Sequence, residues 1–328
     1  DSEIHAVIKG DKLSGRWIKH LADSNVVMDF EAMPDAKWRF FNTDVDTKFN
    51  ISGRWSTTFV GKDKKDTTLA IGEFKQIGTK LTGTFLTTTG DYRFLEGTVS
   101  NDKMYLSCFD GSHAYLFTGK LANDSTIVNG TFYSGLTHTE DWTARKDEKA
   151  MLPDAYSLTS LKTGTKKLSF SFPDLNGKKV SLDDPQFQNK VVVVQFFGSW
   201  CPNCMDETAY LAPFYEKYKN KGVEVVGLAY ERTTDIQRSK KNVERMKNRF
   251  NVGYDMLLTG YTNDTKEVVK SLPMLQNFVA FPTTILIDKS GVVRKIHTGF
   301  SGPGTGEHYT EFVKEFEKTV EDLLAENR

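Results

Sequence analysis

Cys201 and Cys204 stand three apart in "FFGSWCPNCMDE", directly after the apolar run "VVVVQFF" at 191–197. Two thiols at this spacing are a redox dithiol, half of a metal site, or a pair of buried apolar side chains. A structural zinc site needs four Cys/His ligands, commonly as two close pairs. The chain has 3 cysteines and 6 scattered histidines, with no second pair, so no metal is expected. What precedes and follows the cysteines favours the dithiol. A strand buried on both faces would end just before Cys201, and a helix would begin at Pro202, a residue suited to the first helical turn. The Cys201 sulfur would then lie at the N–H groups of that turn, where the helix dipole stabilises an anion. Cys204 would sit one turn further in, shielded, and able to attack a mixed disulfide from behind.

The elements that must position this pair read as alternating strands and helices. Leu211, Phe214, Tyr215 and Tyr218 share one helical face. "VEVVGLAY" is a second buried strand, an amphipathic helix runs from about Asp235 to Phe250, and "TTILID" and "GVVRKIHTG" form a hairpin. A closing helix places Phe312, Phe316, Val320 and Leu323 together. The expected fold for residues 168–328 is an α/β sandwich on a mixed sheet.

"FFGSWCPNCMDE", "FPTTILIDKSGVVRK" and the lead-in "FSFPDLNGKKVSLDD" together resemble the thioredoxin superfamily, in its TlpA/ResA-like branch of thiol–disulfide oxidoreductases from the bacterial cell envelope. The resemblance covers residues 168–328. It implies Cys201 as nucleophile, Cys204 as resolving cysteine, and Pro282 as the cis-proline facing them, with the Phe281 backbone free to pair with a client. Trp200 would flank the sulfur, and Glu207 matches an acidic residue buried beside the disulfide, where a carboxyl can exchange protons near neutrality. Two positions depart from the pattern. Ala209 stands where the branch commonly has proline, with Pro213 one turn later. The Pro-Asn pair between the cysteines offers no cationic neighbour, so a potential of roughly −200 to −270 mV is expected, towards the reducing end.

Residues 1–148 have a different grammar. "LSGRW", "ISGRW", "LTGTF", "LEGTV", "FTGKL" and "VNGTF" each join a glycine to β-branched or aromatic flanks, and "KMYLSCF" alternates. This half is expected to be an all-β antiparallel barrel or sandwich, loosely similar to the calycin barrels, with no ligand residue transferable. Residues 149–167 are read as the linker, and Cys108 as a small buried hydrophobe.

The chain of 328 residues carries 43 basic and 43 acidic side chains, which gives no electrostatic reason to expect nucleic acid as a partner. No apolar run is long enough to span a bilayer. The start at Asp1 reads as a form whose targeting segment, a membrane or lipid tether included, has been removed. The function expected is a thiol–disulfide oxidoreductase without cofactor, acting as a reductase on client disulfide proteins and recharged by an upstream membrane thiol donor. Two alternatives stay open: a ligand- or partner-binding protein with an accessory thioredoxin-like domain, and a thiol peroxidase. The second lacks its motif, because Val194 and Phe197 stand where a peroxidatic Pro would be needed.

Overall fold

The computed structural model describes residues 2–20, 24–41, 47–63, 66–111 and 113–326. The chain divides into two compact units, Asp1–Thr87 with Asp91–Leu152, and Thr88–Gly90 with Pro153–Arg328.

In the first unit, β1 (Ser2–Lys9), β2 (Lys12–His20) and β3 (Asn25–Ala32) form an antiparallel sheet of their own. The remaining strands are β4 (Gly53–Gly61), β5 (Thr67–Ile77), β6 (Lys80–Thr87), the short β7 (Gly90–Asp91), β8 (Leu95–Ser100), β9 (Lys103–Phe109), β10 (Ala114–Asn123), β11 (Thr126–Ser134) and β12 (His138–Lys146). Their order is β5-β4-β12-β11-β10-β9-β8-β6, and the β5–β6 pairing closes the ring. Between barrel and sandwich, the closed barrel is therefore what forms, and closure removes the free edges that a sandwich must protect.

Inward positions carry Trp55, Phe59, Phe85, Phe117, Phe132 and Trp142, all buried. Phe59 alone has the rings of Phe85, Phe117, Phe132 and Trp142 at centroid distances of 5.3 to 6.1 Å. Such packing explains the repeated glycines of the sequence. A Cβ at Gly130 would lie 2.5 Å from the Trp142 indole, and one at Gly97 would collide with the Tyr105 carbonyl. Each glycine makes room for a ring or for a neighbouring strand.

The second unit is built on β16 (Val191–Phe197), β17 (Val223–Glu231), β18 (Asp255–Thr262), β20 (Thr283–Ile287) and β21 (Val293–Thr298), in the order β18-β17-β16-β20-β21. The first three run parallel, and β20 and β21 are antiparallel to their neighbours. Between β16 and β17 runs α1 (Pro202–Tyr218). α2 (Ile236–Phe250) and α3 (Thr265–Ser271) flank β18, and α4 (Glu307–Ala325) ends the chain. The aromatic face read from the sequence packs α1 on α4, with Phe214 and Phe316 at 5.2 Å. The Asp235 side chain caps α2 by accepting from the N–H groups of Gln237 and Arg238. This is a thioredoxin-like α/β fold.

The sequence reading assigned no strand to β18. "DMLLTGYT" is a short apolar run, and its parallel pairing with β17 decides its state. The segment read as the linker also gains structure. β13 (Ser160–Leu161) pairs with β19 (Leu275–Asn277), and the small hairpin β14 (Ser171–Pro173) and β15 (Lys179–Ser181) follows. Lys162 N–H donates to the Met274 carbonyl at 2.9 Å, and the Thr298 hydroxyl donates to Thr159 Oγ1 at 2.9 Å. Polar, charged sequence gave no sign of these bonds, because their partners lie more than 100 residues away.

Candidate active site

β16 ends at Phe197, and Gly198–Trp200 turn the chain into α1. This turn is tied down from β17. The Glu231 carboxylate, 3% exposed, accepts from the Ser199 N–H and hydroxyl, both at 2.8 Å. Trp200 Nε1 donates to the Tyr230 carbonyl at 3.0 Å. Gly198 is required here, since a Cβ would strike the Trp200 indole.

Cys201 is the N-cap of α1, with φ −98° and ψ 119°, and its Sγ accepts from the Cys204 N–H at 3.4 Å. The sulfur therefore stands at the positive end of the helix. Pro202 occupies the first turn without an orphaned N–H. Cys201 is 5% exposed and Cys204 is fully buried. Burial, then the hydrogen bond and charge of Cys201, hold the Cys204 thiol well above the usual range, with Glu207 adding to the rise.

Glu207 lies one turn beyond Cys204 and is 1% exposed. Its Oε1 accepts from the Thr284 hydroxyl at 2.7 Å, and its Oε2 from Gln195 Nε2 at 2.9 Å. Burial pushes the carboxyl up, the two hydrogen bonds oppose it, and the balance is about 7. A carboxyl that titrates near neutrality beside a thiol can take the proton of that thiol.

The Phe281–Pro282 bond is cis. Cys201 Sγ donates to the Phe281 carbonyl at 3.9 Å, which brings Cys201 and Phe281 together. The Phe281 ring is buried, 4.8 Å from Phe278 and 5.7 Å from Tyr230, while its backbone carbonyl reaches the sulfur. Pro282 is buried, and its carbonyl accepts from Gly299 N–H at 2.7 Å. Trp200 is half-buried, edge-on to Phe281 at 5.8 Å, with the Arg232 guanidinium 4.8 Å from its ring.

Pro213 falls inside α1 on the exposed side, as does Ala209, whose carbonyl loses its helical N–H partner to the proline and faces water. Cys108, in the barrel, is half-buried, and burial pushes its thiol up to about 12. Among the described residues no group of three or more His, Cys, Asp or Glu is placed to hold a metal ion.

Sequence reading did not single out Gln195, Thr284 or Glu231. A signal existed for the first, a lone amide inside "VVVVQFF". None existed for the others, which are ordinary residues until the sheet register aligns them.

The model of the Redoxin family matches residues 162–311. The thiol–disulfide oxidoreductase ResA of Bacillus thuringiensis subsp. konkukian (strain 97-27) is 33% identical over 154 residues, covering 47% of this chain and 78% of that protein. ResA of Bacillus subtilis (strain 168) is 29% identical over 155 residues, again 47% and 78% of the two chains. Among solved structures, the thioredoxin domain of a thiol–disulfide oxidoreductase from Bacteroides vulgatus is 28% identical, with a TM-score of 0.36 over 48% of this chain and 99% of that one. A buried dithiol at a strand-to-helix junction and a relative of this identity and coverage lead to one conclusion: the chain belongs to the TlpA/ResA-like thiol–disulfide oxidoreductases of the thioredoxin superfamily.

Proposed function

We propose that the chain is a disulfide reductase of the bacterial cell envelope, which passes two electrons from the Cys201–Cys204 dithiol to a client protein disulfide. The observation that carries the direction is the state of Cys204. A thiol buried and held far above its usual range is a poor leaving group once oxidised and a strong nucleophile once ionised, which favours giving electrons away.

In the proposed sequence, the Cys201 thiolate attacks one sulfur of the client disulfide. A mixed disulfide forms, and the other client cysteine leaves as a thiolate that takes a proton from solvent. Cys204 then transfers its proton to the Glu207 carboxylate, and its thiolate attacks Cys201 Sγ. The Cys201–Cys204 disulfide forms, and the second client thiolate leaves and takes up a proton. The client ends as a dithiol, and a dithiol donor on the membrane side restores the protein. The Phe281 backbone, bordering the sulfur, serves as the strip along which an extended client segment lies, beside Pro282. Trp200, held by Tyr230 and Arg232, restricts approach to Cys201.

The envelope location rests on membership of the ResA-like branch. No helix of the described residues is long and apolar enough to cross a membrane. For the barrel we propose client recruitment from its outer surface, since aromatic rings fill the interior where a small ligand would need space. The catalytic domain is proposed to begin at Pro153, with the Ser160–Leu161 strand as part of it.

Trapping the client tests this reading. Cys204→Ser keeps the nucleophile and removes the resolving thiol, so a Cys201–client mixed disulfide is expected to persist on non-reducing gels. Capture of nothing, in a variant whose Cys201 still reacts with an alkylating reagent, would refute a protein-disulfide substrate. An identical captured set after deletion of residues 1–148 would refute recruitment by the barrel.

A further inference from the structure

Gln195 is fully buried in the centre of β16, among valines and phenylalanines. It stands directly opposite Thr284 in the β16–β20 register, so the two side chains share one face of the sheet, and both reach Glu207. A glutamine can present either end of its amide, and its partners decide which. Here Oε1 accepts from the Tyr254 hydroxyl at 3.3 Å and from the Thr208 hydroxyl at 3.3 Å. Nε2 is left to donate to Glu207 Oε2 at 2.9 Å and Thr208 Oγ1 at 3.1 Å. Thr208 suits either end, because a hydroxyl both donates and accepts. In this arrangement Tyr254, whose hydroxyl burial keeps protonated, is a donor to Oε1. Removal of that donor frees the amide to turn its oxygen towards the carboxylate, an arrangement that favours the protonated acid.

We propose that Tyr254, acting through Gln195, and Thr284 are positioning residues that keep Glu207 ionisable, and so able to accept the proton of Cys204, near neutral pH. The inference rests on the reading of Glu207 as that proton acceptor. Thr284 supplies a donor directly to one oxygen, and Tyr254 fixes the amide that supplies the other. The titratable groups facing the carboxyl are Cys204 and Tyr210 on α1, Tyr254 ahead of β18, and His297, which pairs with Thr284 across β20–β21. Burial raises the thiol and both phenols, and lowers His297 to about 4, so these groups hold their protonation state near neutrality while the carboxyl changes its own.

The test follows the full-length protein from about pH 5 to about pH 9, a window that brackets the ordinary histidine range and the shifted carboxyl. The carboxyl carbon of Glu207 is observed by NMR after 13C-glutamate labelling, with Glu207→Gln assigning its signal. Stopped-flow measurement separates mixed-disulfide formation at Cys201 from the resolving step. Tyr254→Phe keeps the ring and removes the hydroxyl. It is expected to raise the Glu207 midpoint by about one pH unit, and to slow resolution about tenfold at pH values below that midpoint. The first step should stay within about twofold. Thr284→Val is expected to shift the midpoint at least as far, and Thr284→Ser, which restores a hydroxyl, to return it. The Thr284 pair also serves if Tyr254→Phe does not fold. An unmoved midpoint in Tyr254→Phe or in Thr284→Val, while Glu207→Gln abolishes the pH dependence of resolution, overturns the inference and leaves Glu207 as acceptor. An unchanged pH profile in Glu207→Gln itself overturns the underlying reading.

Discussion

Inside the barrel, Trp55, Phe59, Phe85, Phe117, Phe132 and Trp142 meet ring to ring, whereas the core of the α/β unit sets a carboxylate, an amide and two thiols among aliphatic and aromatic side chains. In both interiors the charge of a buried polar group decides how much it needs a partner. Trp142 Nε1 is buried in the barrel without a hydrogen-bond partner, a fault that a neutral donor survives at modest cost. Glu207 receives a donor on each oxygen. A buried carboxylate left bare would stay protonated and accept nothing, so its ionisation depends on those donors. The thiols teach the same lesson. Burial raises both Cys108 and Cys204, yet only Cys204 has a second sulfur within its own helical turn and a carboxyl one turn on. Burial perturbs a group; a partner at the right distance makes the perturbation useful.

Loss of the nucleophile should separate the two regions most sharply. Cys201→Ser is expected to reduce insulin disulfide reduction by at least about a thousandfold, and Cys108→Ser to leave it within about twofold. Comparable loss in both variants, followed by thiol release, would erase the distinction between the thiols.

A cavity in the barrel comes next. Phe59→Ala removes a ring that five others contact, and a cost of about 3–5 kcal/mol is expected for the first unit. Disulfide reduction should remain within about twofold, because the second unit has its own core. Calorimetry that showed both units melting earlier together would contradict separate cores.

Glu207 gives a pH signature of similar size. Its native value of about 7 lies above the ordinary 4.5, so between them the native state binds more protons than the unfolded one. Stability is therefore highest below the unfolded value and falls as pH rises through the native value, by on the order of 3 kcal/mol in total. Glu207→Gln should remove that slope, and urea titrations at about pH 5 and about pH 8 would measure it. An equal slope in both proteins would show that the buried carboxyl does not ionise in the folded chain.

The smallest effect concerns where the second unit begins. A Pro153–Arg328 fragment should fold and retain reduction, while one starting at residue 168 loses the Ser160–Leu161 pairing and the Thr159–Thr298 bond. The shorter fragment is expected to be less stable by about 2 kcal/mol in urea. Equal midpoints would return residues 153–167 to the status of a tether.

Much of the second unit was legible because its signals are local. A run such as "VVVVQFF" needs burial on both faces, the aromatic spacing of α1 needs a helix, and Cys-Pro-Asn-Cys between them needs the helix N-terminus. The first unit was legible only as a class. Repeated glycines announce strands packed closely against rings, but whether those strands close depends on the pairing of β4 with β12, at opposite ends of the barrel sequence. β18 and the Ser160–Leu161 strand escaped for the same reason. Each is a short segment whose state is set by a partner far along the chain.

By itself, the sequence determined the dithiol, its place at a helix start, the buried strand that leads into it, and the carboxyl one turn beyond. All of these follow from residue types within a few positions of one another, where backbone geometry leaves little choice. Tertiary structure alone decided how that carboxyl is held. Gln195, Thr284 and Tyr254 lie on three different strands or their ends, and no local pattern relates them. Only the pairing of β16 with β20 and the course of the chain into β18 bring an amide, a hydroxyl and a phenol around one buried carboxylate. Hydrogen bonds act over about 3 Å, so the register of distant strands, rather than proximity in the chain, selects the partners.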